Sequence, residues 1–291
     1  MIEYERDPYT GYMTTGHQWN GIKEINSPVA KIIWFFLILT SAIAVLMWIL
    51  WPAIPLGTTF TKGILGIKQH TAIDEAVAEG ETKRAAWEKR IREMPAKEIQ
   101  SDPALMKIVR EAGHTLFGDN CAVCHGLKAT GGPGFPDLVD QSWLWGGTPE
   151  KIMETVSVGI NSSDPDSRAS QMPAFGRDQM LSKADIDKMV AFVLDLSSGT
   201  AASQPKETTQ IFVDNCSACH GEDGKGNTEM GAPNLTDKQW IYGGSEKAVH
   251  QTIWNGRQGH MPSWKERLSD VDRKILTLYV IDLANRKAAK P

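Results

Sequence analysis

The chain has 291 residues, of which 41% are apolar and 23% charged, with a formal net charge of -4. That balance excludes wholesale disorder and fibrous repeats, and an acidic chain lacks the basic footprint that nucleic acid requires, so no nucleic-acid partner is expected. The length suggests two domains more readily than one, and four cysteines are too few to staple a chain of this size.

Residues 1–31 form a polar head with three basic residues (Arg6, Lys23, Lys31) and four acidic ones (Glu3, Glu5, Asp7, Glu24). Residues 32–51, IIWFFLILTSAIAVLMWILW, carry no charge, and Thr40 and Ser41 are their only polar members. A helix of that length spans about 30 Å, one bilayer core. Trp34, Trp48 and Trp51 stand near its ends, where amphipathic rings favour the interface, and Pro52 stops it. A signal peptide has a shorter apolar run after a basic start, and a buried core helix is the other alternative; the pattern favours a single uncleaved span. Flanking charge does not orient it, because Lys23 and Lys31 on one side face Lys62 and Lys68 on the other.

Residues 52–70 begin with Pro52 and Pro55 and contain Gly57, Gly63 and Gly66, which reads as irregular chain at the membrane surface. Residues 71–94 read as a charged helix: Thr71 with Asp74 resembles a capping pair, and Ile73/Val77 and Trp87/Ile91/Met94 recur at helical spacing. Gly80 weakens the case for one unbroken helix. Residues 52–107 are therefore a linker and solvated helical spacer whose narrow apolar face suits a partner or the chain's own domain.

The remainder is an internal repeat. FGDNCAVCHG at 117–126 matches FVDNCSACHG at 212–221, offset by 95. Pro136-Asp137-Leu138 matches Pro233-Asn234-Leu235, and Trp143 before Gly146-Gly147 matches Trp240 before Gly243-Gly244. Met172-Pro173 matches Met261-Pro262 at an offset of 89, and Leu181-Ser182 and Leu268-Ser269 each open a final helix. Landmark order holds while the offset drifts, so the copies, 108–200 and 201–291, differ in loop length, chiefly in 160–171. The small-residue stretch 197–207 joins them. Each copy reads as all-α. In the first, a periodic helix around 104–118 and a closing helix over 183–196 bury Ile186, Met189, Val190, Val193 and Leu194, with Ser182 and Asp185 capping the latter. Gly113, Leu116 and Phe117 are expected to pack the first helix against Phe192 or its neighbours in the same copy. About 90 residues with long loops hold little apolar material, so something else must fill the centre.

Cys121-Ala122-Val123-Cys124-His125 and Cys216-Ser217-Ala218-Cys219-His220 imply that filler. Residues i and i+3 of a helical turn project to one side, so each cysteine pair can add to the two vinyl groups of a porphyrin, and the following histidine offers its imidazole to the iron. A dithiol redox pair or half a zinc site is the competing reading of each motif alone. Two motifs in two helical copies, with every cysteine used, point to two haem c groups. Attachment of haem c outside the bacterial cytoplasm then places the amino terminus in the cytoplasm and the haem domains in the periplasm.

A filled sixth position favours electron transfer, and a methionine there raises the reduction potential relative to a second histidine. The candidates are Met153, Met172, Met180, Met189, Met230 and Met261. Met189 lies in a core stripe. Met172 and Met261 occupy corresponding positions, each before a proline that fixes the loop. They are the expected axial ligands beside His125 and His220, by default each for its own copy, with exchange between the copies geometrically open. His260 is a weaker candidate because Gln171 stands in its place in the first copy. His17, His70, His114 and His250 have no counterpart in the repeat and read as ordinary polar residues. Arg168, Arg177 and Arg257 are candidates for pairing with haem propionates, or are solvated surface. Residues 108–200 hold seven basic and twelve acidic side chains against twelve and eleven over 201–291, an asymmetry that would steer a basic donor or merely solvate.

Taken together, the chain resembles the dihaem subunit (CcoP, or FixP) of cbb3-type cytochrome c oxidases over its whole length. TTGHQWNGIKEINSP at 14–28 is similar to that family's segment before its membrane helix, and the spacer, CAVCHG, QMPAF, CSACHG and HMPSW follow in family order. The resemblance implies a single-pass bacterial inner-membrane subunit that accepts electrons from a soluble cytochrome c or a quinol-oxidising complex. It would pass them through a monohaem c subunit toward the haem–copper subunit where oxygen is reduced, with no catalytic site on this chain. On that reading Cys121, Cys124, Cys216 and Cys219 anchor the haems and His125, His220, Met172 and Met261 ligate iron. A free-standing anchored dihaem carrier, or the cytochrome subunit of a periplasmic dehydrogenase, shares the haem features; residues 1–28 speak against it, since a mere anchor needs no such head. A dihaem enzyme would need an exchangeable sixth ligand, which two matched Met-Pro sites oppose.

Overall fold

The computed structural model describes residues 4–66 and 69–288; Lys68, one of the flanking charges, lies outside them. The chain forms two compact units, Met1–Lys83 and Arg84–Pro291.

The first unit opens with an antiparallel hairpin, β1 (Thr14–Trp19) and β2 (Ile22–Ile25). Asn20 (φ 49°) and Gly21 (φ 87°) make its turn, the residue pair whose positive φ values match the twist of a tight hairpin. The sequence reading had no strand here. Thr14 is buried, and its hydroxyl accepts from the Glu5 backbone N–H at 3.0 Å. Helix α1 (Lys31–Leu50) follows, with a mean hydropathy of 2.5 and no buried side chain. It is the one helix among the described residues long and apolar enough to cross a membrane. Thr40 donates its hydroxyl to the Phe36 carbonyl at 2.8 Å, which hides its polar group from an apolar surround. Beyond α1 a short hairpin, β3 (Pro55–Leu56) with β4 (Thr59–Phe60), turns the chain back. The N–H groups of Ile64 and Leu65 then donate to the carbonyls of Ile49 and Leu50 at 2.9 and 3.1 Å, satisfying acceptors that a helix end leaves open. Helix α2 (Gln69–Glu93) is unbroken through Gly80, and Thr71 lies inside it rather than at its cap. Gly80 costs about 1 kcal/mol against alanine, which a solvated helix tolerates.

In the second unit the end of the spacer belongs to the chain's own core. Ile91 is fully buried, with Trp87 and Met94 packed beside it, whereas Ile73 and Val77 are exposed. After α3 (Ala96–Ser101), Asp102 caps α4 (Pro103–Asn120) by accepting from the N–H groups of Ala104 and Leu105, with Pro103 in the first turn. The first copy continues through α5 (Ala122–His125), α6 (Pro149–Val158, capped by Thr148) and α7 (Lys183–Ser198, capped by Ser182). The second repeats this as α8 (Lys206–Asn215), α9 (Ser217–His220), α10 (Glu246–Asn255, capped by Ser245) and α11 (Asp270–Ala288).

The closing helices are exchanged between the copies. Helix α11 packs on α4 and α6, and α7 packs on α8 and α10. One core therefore gathers Val109 and Phe117 of α4 with Ile275, Leu276 and Tyr279 of α11. The other gathers Ile186, Met189 and Phe192 of α7 with Phe212, Val249 and Ile253. The expected packing of Phe117 on Phe192 is corrected: Phe117 meets Tyr279 at 5.9 Å between centroids, and Phe192 meets Phe212 at 5.0 Å. Gly113 lets α11 approach, since a Cβ there would stand 2.7 Å from that of Tyr279. The connection explains the exchange. Only residues 199–205 separate α7 from α8; a link that short turns the two helices into antiparallel neighbours, so α4 must take its cover from α11.

The exchange also redistributes charge. Residues 103–170 and 258–288, which build the first core, carry eleven basic and twelve acidic side chains; residues 171–257, which build the second, carry eight and eleven. The contrast between halves seen along the chain shrinks, and with it the case for steering by one acidic haem domain.

Candidate haem sites in a shared cavity

Each CxxCH lies on a single helical turn. In the first, the N–H groups of Cys124 and His125 donate to the Cys121 carbonyl at 3.2 and 3.0 Å; in the second, those of Cys219 and His220 donate to the Cys216 carbonyl at the same distances. Gly126 (φ 74°) and Gly221 (φ 77°) end the turns. Nδ1 of His125 is 3.0 Å from the Pro136 carbonyl, and Nδ1 of His220 is 3.0 Å from that of Pro233. A carbonyl only accepts, so Nδ1 carries the proton and Nε2 is left as the free ligand nitrogen. These prolines were visible as landmarks of the repeat, but without a role. Gly131 and Gly226 let each loop close, since a Cβ on either would collide with the backbone at Pro136 or Pro233. Burial lowers both imidazoles from the usual histidine value and pushes the Cys121 and Cys216 thiols up to about 11.

None of the four cysteines is in a disulfide, and among the described residues no group of three or more His, Cys, Asp or Glu is placed to hold a metal ion. Both motifs, Met172 and Met261 line one cavity of about 1520 Å³. That exceeds the roughly 300–1,000 Å³ of a single small-ligand pocket. Paired thiols at helical spacing, an oriented imidazole and a methionine beside a large cavity are the donor set that haem c requires.

The methionine loops are exchanged as the helices are. Met261 and Ile160 bond to each other in both directions at 2.9 Å, and Met172 and Arg257 do so at 2.8 and 3.1 Å. Met172 packs on the cluster that holds Cys216. The default assignment of each methionine to its own copy is therefore not what the geometry favours. Gly159 (φ 73°) and Gly256 (φ 67°) make room for the visiting loops: a Cβ on Gly159 would strike the Met261 carbonyl, and one on Gly256 the Met172 carbonyl. Gly256→Ala should therefore displace Met172, at a cost above 1 kcal/mol, and weaken the methionine signature of the Cys216/Cys219 haem in the optical spectrum while leaving the other intact.

The other candidates sort by place. Met189 is core, Met153 accepts from the Thr277 hydroxyl at 3.7 Å, and Met180 and Met230 are exposed. His260 lines the cavity, but its Nδ1 holds the Asn161 carbonyl at 2.9 Å, where the loops cross. His114 bonds the Tyr279 hydroxyl, His250 stacks on Trp254 and His17 pairs with Glu24. Arg177 pairs with Asp178 on the surface, and Arg168 is buried against Glu154 and Trp145. Arg257 lines the cavity.

Three family models match the chain: "N-terminal domain of cytochrome oxidase-cbb3, FixP" over residues 11–58, "Cytochrome c" over 110–197, and "Cytochrome C oxidase, cbb3-type, subunit III" over 203–280. A cbb3-type cytochrome c oxidase subunit FixP of Azorhizobium caulinodans is 42% identical, covering 93% of this chain and 92% of its own length. FixP of Bradyrhizobium diazoefficiens is 41% identical, at 97% and 98% coverage. The chain belongs to the FixP/CcoP subunit family of cbb3-type cytochrome c oxidases. CcoP of Azospirillum brasilense is 38% identical over 99% of this chain and 100% of its own, so the likeness takes in the head, the spacer and both haem domains. As a FixP/CcoP subunit the chain is a membrane-anchored cytochrome subunit with two haem c groups, and it assembles with the other oxidase subunits.

Proposed function

We propose that this chain is the electron-entry relay of its oxidase. It takes electrons from a soluble cytochrome c or a quinol-oxidising complex and hands them through the monohaem c subunit toward the haem–copper subunit. Each haem supplies one-electron exchange at iron. The protein's share would be to hold it: Cys121 and Cys124, or Cys216 and Cys219, would fix the ring, His125 with Met261 would hold the first iron, and His220 with Met172 the second. Residues that offer both an imidazole and a thioether to the iron would suit it to electron transfer and leave no place for oxygen. The single observation that carries this reading is that both CxxCH turns and both Met-Pro loops converge on one cavity. The amino terminus then lies in the cytoplasm and the haem domains in the periplasm, which is where a donor can reach them.

The test is purification of the tagged chain from detergent-solubilised membranes of cells grown at low oxygen. The expected result is two low-spin His/Met haems on this chain, unreactive to carbon monoxide, together with a haem–copper subunit in the same fraction. A carbon-monoxide-reactive haem on this chain would overturn the relay role.

A further inference from the structure

A haem carries two propionates at its rim, and enclosed carboxylates need cationic partners. Three cationic side chains line the shared cavity: Lys225, Arg257 and Arg267. Lys225 is matched by Asp223 at 2.9 Å. Arg257 and Arg267 have no carboxylate partner among the described residues. Both are held flat and ready: Arg257 stacks on Tyr242 at 4.2 Å and donates from Nε and Nη2 to the Thr252 hydroxyl at 3.1 and 3.0 Å, and Arg267 stacks on Trp264 at 4.4 Å. They divide between the two cores. Arg257 pairs through its backbone with Met172, beside the second CxxCH core, and Arg267 follows Met261 on the loop that enters the first.

Arg168, the counterpart of Arg257 in the repeat, also stacks on an aromatic ring, Trp145, at 4.8 Å. It differs in being claimed already by Glu154 at 2.7 Å; Gln251 stands at the matching place in the second copy, so Arg257 has no such claim on it.

We infer that Arg257 and Arg267 are the propionate anchors of the two haems, Arg257 for the Cys216/Cys219 haem and Arg267 for the Cys121/Cys124 haem. The second copy thus supplies the anchor for both. This rests on the relay reading above. A guanidinium held beside a haem favours the reduced iron, which carries one positive charge fewer, so each arginine raises the midpoint of its own haem. One electron enters per haem, and no bond forms or breaks.

The test is an optical redox titration of the full chain in detergent, with covalent haem counted in each preparation. Arg257→Gln should lower one of the two midpoints by about tenfold in the oxidised-to-reduced ratio, about 59 mV for a one-electron couple. Arg267→Gln should lower the other by a smaller, roughly threefold step, because that side chain is exposed and water screens it. Arg257→Lys should recover most of the first shift, because it keeps the charge. Arg177→Gln, outside the cavity, should move neither. If both glutamine variants carry two haems with unmoved midpoints, or both move the same one, the assignment is wrong. A wild-type chain without two low-spin haems overturns the relay reading instead, and this inference with it.

Discussion

In a chain stripped of its first haem by Cys121→Ala with Cys124→Ala, Met172→Ala should open the remaining iron, and Met261→Ala should leave it closed. The haem left is bound through Cys216, Cys219 and His220, whose copy contains Met261, so reading along the chain predicts the opposite. Two observations favour Met172: its backbone pairs with Arg257 in both directions, and it and Cys216 pack against the same cluster, while Met261 is paired to Ile160. Loss of the thioether removes the ligand that raises the potential, so the midpoint should fall by at least about tenfold, roughly 59 mV. The opened iron should also bind carbon monoxide. The reciprocal pair of experiments, with Cys216→Ala and Cys219→Ala as background, should make Met261 the sensitive residue. Sensitivity confined to the methionine of the same copy, in both backgrounds, would show that the loops are not exchanged.

The two haem turns were legible because the chemistry needs all its residues within five consecutive positions, and each cysteine had a use. The Met-Pro pair was legible as a repeat landmark in the same order in both copies, although its offset of 89 departs from the 95 of the CxxCH turns. The exchange was not legible from the helices, because α7 and α11 carry the same pattern of Ser-x-x-Asp cap and periodic aliphatic residues, and either one fits either first helix. The signal lay in the connection: 199–205 is too short to carry α8 away from α7. The hairpin of the first unit was missed for a different reason. TTGHQW has no clean alternation of apolar and polar residues, and burial of one face is what writes that alternation; only Asn20-Gly21 announced the turn. Arg168, Arg177 and Arg257 were candidates for haem propionates and Arg267 was not singled out; sequence alone could not tell that Glu154 takes Arg168 while Arg257 is spared, because that depends on which side of α6 meets the loop.

The exchange of helices carries an energetic consequence that crosses the repeat. Tyr279 in the second copy lies on Phe117 and against Gly113, just before the first CxxCH, and Phe192 in the first copy lies on Phe212, just before the second. Emptying a buried aromatic site costs about 3–5 kcal/mol, a large share of the roughly 5–15 kcal/mol that holds a domain together. Tyr279→Ala should therefore loosen the first haem site, and Phe192→Ala the second. Thermal melts followed at the methionine-to-iron absorption should show one of the two haems losing its sixth ligand early in each variant, with single-haem backgrounds telling which. Helix α11 also supplies Val271, Ile275, Leu276, Leu278 and Val280 to the first core, so the cavity at Tyr279 opens in the middle of a cluster and cannot be closed by a loop shift. If Tyr279→Ala instead destabilised the Cys216/Cys219 haem, α11 would be packing on its own copy. The crossed assignment of Met172 and Met261 would then fall together with it, because one loop carries both the ligand and the helix.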